Sequence, residues 1–247
     1  MLDSKFGPLW SPVRGGGKLM LLPSSTQDSA FLPHREENNQ LLIDAINKLE
    51  RSDVFVDIGS NIGFYSLRAS QRLGPAGMVV SIEPSSREFS RLAAAKFNNQ
   101  HACQWALFNC GIGPKGRHAL EINAGHTGMN HLKPRQASRQ NDSQPGGAET
   151  ISLATLDDLL TVLGIEQIQL LKIDIEGFEL QALQSFRRLL SSGAIKTIVI
   201  EITDRFLKRF GDSRAQLYQV MDECQFVPQI GLSSHWQYDD IFHHRGQ

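Results

Sequence analysis

Acidic residues stand at the ends of several apolar runs in this chain. Val54-Phe55-Val56 leads into Asp57, Met78 to Ile82 into Glu83, and Ile168 to Ile173 into Asp174; Glu201 falls near the end of the run Lys196 to Ile202, and Glu176 follows Asp174 by two positions. A carboxylate can accept hydrogen bonds from ligand hydroxyls, pair with a cation, or take a proton from a reacting group. Short β-branched and aromatic runs read as buried strands. In an open α/β sheet the ligand lies outside the carboxyl ends of the strands, which is where these acids fall.

The first acid opens Asp57-Ile-Gly59-Ser60-Asn61-Ile-Gly63, a glycine turn between a strand and a helix expected over Phe64 to Leu73. Such a turn brings backbone close to a ligand, and the helix N-terminus offers free N–H groups to a carboxylate or phosphate. A dinucleotide turn, G-x-G-x-x-G, would have glycine where Asn61 stands, and a Walker lysine is missing. Asp57 can face a cationic ligand group. Glu83, about 20 residues beyond the turn, stands where an acid accepts hydrogen bonds from ribose hydroxyls. A ligand with a ribose, a carboxylate and a positive charge fits S-adenosylmethionine. Its binding residues are then Asp57, Gly59, Ser60, Asn61, Gly63 and Glu83, with Asn109 and Cys110 at the end of the third apolar run either bordering the adenine or forming an ordinary loop entry.

Asp57 to Gly63, Ile82-Glu-Pro-Ser85, Thr155-Leu-Asp-Asp158 and Leu171-Lys-Ile-Asp-Ile-Glu-Gly177 stand in the order seen in FkbM-type S-adenosylmethionine-dependent methyltransferases. The chain resembles that family from about Glu37 to about Glu201, and more weakly to the C-terminus. The Lys-Ile-Asp-Ile-Glu-Gly segment, preceded by Thr-Leu-Asp-Asp, is the most specific part. The resemblance implies a Rossmann-like, seven-stranded methyltransferase sheet whose last strand is antiparallel. It also implies O-methylation of a hydroxyl on a small molecule, sugar or glycan.

Methyl transfer from a sulfonium needs an aligned nucleophile and exclusion of water, and an alcohol acceptor must also lose a proton. Asp174 is the first candidate base, with Glu176 and Glu201 as further catalytic candidates. Lys172 falls on the same strand face as Asp174 and needs a partner if buried, so a salt bridge is the rival role for Asp174. For Glu176 and Glu201 the rival is a solvated strand-end carboxylate. No resident metal is expected, although oxygen ligands at Asp174 and a second carboxylate would suit magnesium. His126 and His131 read as surface loop residues, and Phe64 and Tyr65 as helix packing.

The composition sets outer bounds. The 247 residues carry a formal net charge of -1 and no long basic run, which gives no reason to expect a nucleic-acid partner. Three cysteines, Cys103, Cys110 and Cys224, lack a C-x-x-C spacing and read as reduced thiols, so a cytoplasmic location is expected. No apolar stretch approaches the roughly 18 residues of a membrane span. Two rivals to a methyltransferase are an NAD(P)-binding oxidoreductase, against which Asn61 argues, and a catalytically inactive cofactor-binding module.

These residues need an α/β framework. Apolar periodicity predicts helices over Glu36–Leu49, Arg87–Phe97 with Ser85 or Ser86 as cap, Leu156–Leu163, Phe178–Leu190 and Ser213–Cys224. Alternation of strands and helices predicts a mostly parallel sheet with helices on both faces. Residues 105–123 read as a hairpin-like excursion, and 133–150 as a mobile loop or active-site lid. Residues 1–33 form an irregular extension that lies over the core or its ligand site, and 34–247 a methyltransferase domain.

Overall fold

The computed structural model describes residues 8–32, 39–123, 125–134 and 147–246. It opens with a hairpin, β1 (Leu9–Pro12) and β2 (Lys18–Leu21), and a short helix α1 (Thr26–Ser29). Then come α2 (Gln40–Asn47), β3 (Val54–Ile58), α3 (Phe64–Arg72), β4 (Met78–Ile82), α4 (Ser86–Asn98) and β5 (Gln104–Phe108). A second sheet is built from β6 (Gly111–Ile112), β7 (Gly116–Glu121), β8 (His131–Leu132) and β9 (Ala148–Ala154). Alternation resumes with α5 (Leu156–Leu163), β10 (Ile168–Ile173), α6 (Glu179–Ser185), α7 (Arg187–Leu190) and β11 (Ile195–Thr203). The chain closes with α8 (Asp204–Leu207), α9 (Arg214–Glu223), β12 (Phe226–Pro228) and β13 (Gln237–His244).

The main sheet has seven strands in the order β12-β13-β11-β10-β3-β4-β5. From β11 to β5 the pairings are parallel, whereas β13 runs antiparallel to both β11 and β12. The sheet is therefore mixed, and its last strand is the antiparallel one. Strand alternation divides the core. Val56, Ile58, Leu171 and Ile173 pack on one face, while Phe55, Leu170, Val199 and Ile241 face Ile43, Ile46 and Leu67 of α2 and α3 on the other. Each such aliphatic or aromatic side chain contributes about 1.5–3 kcal/mol by leaving water. The same two-residue period puts Asp57, Ser81 and Lys172 on the α3 side, where burial must be offset by pairing.

Local signals set the helix ends. Gly63, at φ 88°, begins α3, and a Cβ there would lie 2.6 Å from Leu92 Cδ1. Thr155 caps α5 by accepting the Asp158 N–H at 3.3 Å, and Gly164 ends it in the left-handed region. Ser85 is the N-cap residue of α4, but its hydroxyl bonds the Glu88 carboxylate instead of the backbone.

Several expectations are corrected. Residues 9–29 are not irregular, because Gly15, Gly16 and Gly17 all adopt positive φ and turn β1 back onto β2. Val13, Leu19 and Leu21 are buried there. Residues 105–123 do not form a hairpin of their own. β5 is the edge strand of the main sheet, and β7 pairs with β9, a partner about thirty residues away that short-range pattern does not reveal. β9 also claims 148–150 from the supposed loop, while 135–146 lies outside the described residues, as do 1–7 and 33–38. The helix expected over 178–190 breaks at Phe186, whose backbone (φ -124°, ψ 32°) leaves the helical region while its ring is buried.

Candidate functional site

The register of the sheet brings the acids together. One residue beyond the paired Ile82, Ile58, Ile173 and Ile200 come Glu83, Gly59, Asp174 and Glu201, and Glu201 is paired with Asp239 on β13. The result is a row of four acids across the strand ends, with a glycine in second place. Gly59 has φ 79°, and a Cβ on it would lie 1.9 Å from the Asp174 carbonyl oxygen. Only glycine lets the two strand ends approach this closely.

Beneath the row lies a buried polar layer. Lys172 Nζ sits 3.1 Å from Asp57 Oδ1 and 3.4 Å from Asp174 Oδ2, and donates to the Gly59 carbonyl at 2.8 Å. Asp57 Oδ2 accepts the Ser66 hydroxyl at 2.6 Å; Ser66 Oγ accepts Ser81 at 2.7 Å, and Ser81 Oγ accepts the Trp105 indole N–H at 2.8 Å. Burial pulls the Lys172 ammonium down, but the charges of Asp57 and Asp174 more than offset it, and the net displacement is upward. Asp57 therefore faces Lys172 and not a ligand cation. It supports the floor of the site from below.

A cavity of about 730 Å³ lies over this floor. Gly59, Ser60, Asn61, Glu83 and Cys110 line it, as do Asp174, Glu176 and Glu201. Asp57, Gly63 and Asn109 do not. Gly63 shapes the start of α3. The Asn109 amide donates to the carbonyls of Glu83 and Pro84 at 2.9 and 3.0 Å, which fixes the turn after β4. Ser60 ties the same turn to β3: its hydroxyl donates to the Asp57 carbonyl at 2.7 Å and accepts the Ile82 N–H at 3.0 Å.

Glu83 accepts the Asn61 N–H at 2.8 Å on one oxygen and the Ser85 N–H at 2.9 Å on the other. Each oxygen keeps a lone pair for a ligand hydroxyl. Burial nevertheless pushes its carboxyl up to about 8. Asn61 sits at φ 50°, and its buried Oδ1 has no hydrogen-bond partner among the described residues. A buried acceptor left open on a cavity wall is costly unless a ligand donor meets it.

At the other end, Asp174, Glu176 and Glu201 offer oxygens that all lie within 4.8 Å of one another. Burial first, then the charge of Asp174, pushes Glu176 up to about 9 and Glu201 up to about 10. Asp239 is pushed up to about 7 by burial and by Asp174. Glu176 is held at φ 57° by the turn into α6, where a Cβ on Gly177 would meet the Phe206 backbone at 2.5 Å. Acids that share protons at this spacing can take up a proton released by a reacting group.

Sequence reasoning missed part of the wall. Gln27 and Phe31 reach the cavity from the N-terminal segment, and Trp236, Tyr238 and Asp239 from the C-terminal one. His126 and His131 line the cavity instead of the outer surface, and burial lowers both imidazoles. Phe64 and Tyr65 pack as expected but also face the cavity. The only signal for Asp239 was its place in the closing strand, since its role depends on an antiparallel pairing with β11. Cys103, Cys110 and Cys224 are free thiols, and no helix among the described residues is long and apolar enough to cross a membrane.

Comparison with known proteins gives one family match: the model described as the methyltransferase FkbM domain matches residues 57–228. No curated protein matches the chain in sequence. Solved structures similar to it include a fibrillarin/Nop5p complex, at 12% identity over 92% of this chain and 84% of that one, TM-score 0.46. A precorrin-6y C5,15-methyltransferase from Geobacter metallireducens GS-15 is 11% identical over 85% and 88%, TM-score 0.45. A SAM-dependent methyltransferase from Aquifex aeolicus is 10% identical over 83% and 88%, TM-score 0.45.

Proposed function

Because the chain belongs to the FkbM methyltransferase family, we propose that it is an S-adenosylmethionine-dependent O-methyltransferase acting on a hydroxyl of a small molecule, sugar or glycan. One observation supports this most: a single cavity has the buried Glu83 at one end of a row of strand-end acids and Asp174, Glu201 and Asp239 at the other. The first end suits a ribose, and the second suits an acceptor that must lose a proton.

The residues present fit the methyl donor. Glu83 has lone pairs for two ribose hydroxyls, the open Asn61 Oδ1 suits a ligand N–H, and the turn before α3 offers backbone N–H groups to a carboxylate. When bound, S-adenosylmethionine supplies an electrophilic methyl group on a sulfonium. Asp174 accepts the proton that the acceptor hydroxyl loses as its oxygen takes the methyl. Glu176 and Glu201, with their raised affinity for protons, hold protons beside it and can orient the hydroxyl. Lys172 fixes Asp174 from below, and the aromatic wall keeps water from competing.

The test has two steps. Calorimetry with S-adenosylmethionine and with NAD should show binding of the first only. Incubation with hydroxyl-bearing small molecules, sugars and glycans should then yield S-adenosylhomocysteine with at least one class. Binding of NAD alone would overturn the cofactor assignment, and turnover on an amine or thiol series alone would overturn O-methylation.

A further inference from the structure

The N-terminal hairpin and α1 lie outside the family match, which begins at Asp57. α1 and the residues just after it nonetheless contribute to the cavity wall. Gln27 and Phe31 line the cavity, and the Phe31 ring stacks on Phe64, the first residue of α3, with centroids 4.6 Å apart at 22°. The loop ahead of β8 lines it too, through His126, Thr127 and Gly128. These two segments touch: a Cβ on Gly128 would lie 3.1 Å from the Gln27 side chain, and the Thr26 N–H donates to the Gly125 carbonyl at 3.4 Å.

A buried charge holds them together. Asp28 is 1% exposed although it is an acid on a four-residue helix. One of its oxygens accepts the Thr127 hydroxyl at 2.8 Å. The other accepts the Leu22 N–H at 2.6 Å and pairs with the Arg91 guanidinium of α4. Arg91 Nε in turn donates to the Met20 carbonyl at 2.8 Å, and Ser25 Oγ lies 3.2 Å from Thr127 Oγ1. Glu88, one turn before Arg91, accepts the Asn130 amide at 3.0 Å from the far side of the same loop. The helix that starts just after Glu83 thus grips both segments. A buried ion pair seldom adds net stability over an apolar pair, but it fixes geometry, because every member needs its partner.

We propose that the N-terminal segment completes the methyl-donor site, with Gln27 and Phe31 as donor-contacting wall residues and Asp28 as the positioning residue that locks them to Thr127 and Arg91. The proposal rests on the methyltransferase reading above, since the donor is its ligand. The place of the wall says which part of the donor it meets. Phe31 stacks on Phe64 at the start of α3, the helix N-terminus that suits the donor's carboxylate, so the wall is assigned to the amino-acid end. A wall residue held by side-chain bonds costs affinity when the hold is cut, because only the fraction of molecules with the wall in place binds.

The experiment uses the full chain and S-adenosylhomocysteine as probe, by calorimetry, with melting temperature alongside. Thr127→Val keeps the shape and cuts the loop's bond to Asp28; Gln27→Ala removes a half-buried wall residue and leaves the Asp28–Thr127–Arg91 bonds in place. Each should weaken binding about three- to tenfold, the range expected from losing one positioning contact. Thr127→Val should also speed hydrogen exchange of the amides at 126–130 in the free protein. Adenosine, which has the ribose but not the amino-acid end, should bind both variants as it binds the parent protein. Parent-like affinity of both variants for S-adenosylhomocysteine would overturn the proposal while leaving the methyltransferase reading standing. Failure of the parent protein to bind the probe at all would overturn both. Should Thr127→Val melt far below the parent, the Gln27→Ala result decides by itself.

Discussion

Lys172 and Asp57 face each other directly across the β10–β3 pairing, with Nζ 3.1 Å from Oδ1 and both side chains nearly sealed from solvent. Asp174, two residues further along β10, shares the same ammonium at 3.4 Å but is about a third exposed. The two aspartates therefore divide the work. Asp57 neutralises the lysine within the core, and Asp174 uses it as a fixed counter-charge at the cavity floor.

Lys172→Met should be strongly destabilising, because it leaves Asp57 buried without its cation. Breaking a buried pair in this way costs about 3–5 kcal/mol. The double variant Lys172→Met, Asp57→Asn should recover much of that loss. Urea unfolding of the three proteins measures it. Equal stability of the single variant and the parent would mean that the pair is not ionised in the core.

Asp174→Asn removes the charge at the accessible end of the pair and keeps its shape. Single-turnover methyl transfer at saturating donor should fall about 10²–10⁴-fold, the usual cost of losing a general base. Donor affinity should change little, and melting should shift much less than for Lys172→Met. Normal turnover in a folded variant would remove Asp174 from the mechanism.

Glu83→Gln or Glu83→Ala should weaken S-adenosylmethionine and S-adenosylhomocysteine alike, since both carry the ribose. Leaving buried ribose hydroxyls without their acceptor costs about 1–3 kcal/mol, roughly fivefold or more in affinity. Calorimetry with both ligands tests this. A loss confined to one of them would place Glu83 elsewhere than at the ribose.

Stability should fall as pH rises from about 7 to about 9, above the usual histidine range. Burial pushes the carboxyls of Glu83, Glu176 and Glu201 up to about 8, about 9 and about 10. Each folded value lies above the ordinary carboxylate value of about 4.3, so the folded state holds more protons than the unfolded chain across this window. The stabilisation is complete below the ordinary value and is lost as pH passes through the folded values. Melting temperatures of the free protein at a series of pH values report it, and Glu201→Gln should flatten the slope. A melting temperature that rises over this interval would contradict the buried, proton-holding cluster.

The residue pattern by itself was enough for the strand–turn–helix around Gly59, for the acid Glu83 at the end of β4, and for most strand and helix positions. Short-range rules govern these features: alternation of two along Val54–Ile58 or Ile168–Ile173, a threonine cap at Thr155, and glycines where φ is positive. It also placed Lys172 and Asp174 on one face. Which acid the lysine prefers was beyond it, because that depends on how β10 registers against β3, a pairing between residues more than a hundred positions apart. The same reason hid Asp239, which joins the acid row only through the antiparallel return of β13, and Asn109, whose side chain turned out to brace a neighbouring turn. The N-terminal segment was legible only as an extension over the core or its ligand site, not in its fold or its contacts. Its three glycines and scattered prolines carry no periodicity, and only the packed structure brings Asp28 against Arg91 and Thr127 and so sets Gln27 and Phe31 in the cavity wall. Local chemistry is written along the chain, whereas contacts between distant segments exist only once the sheet and its helices have brought those segments together.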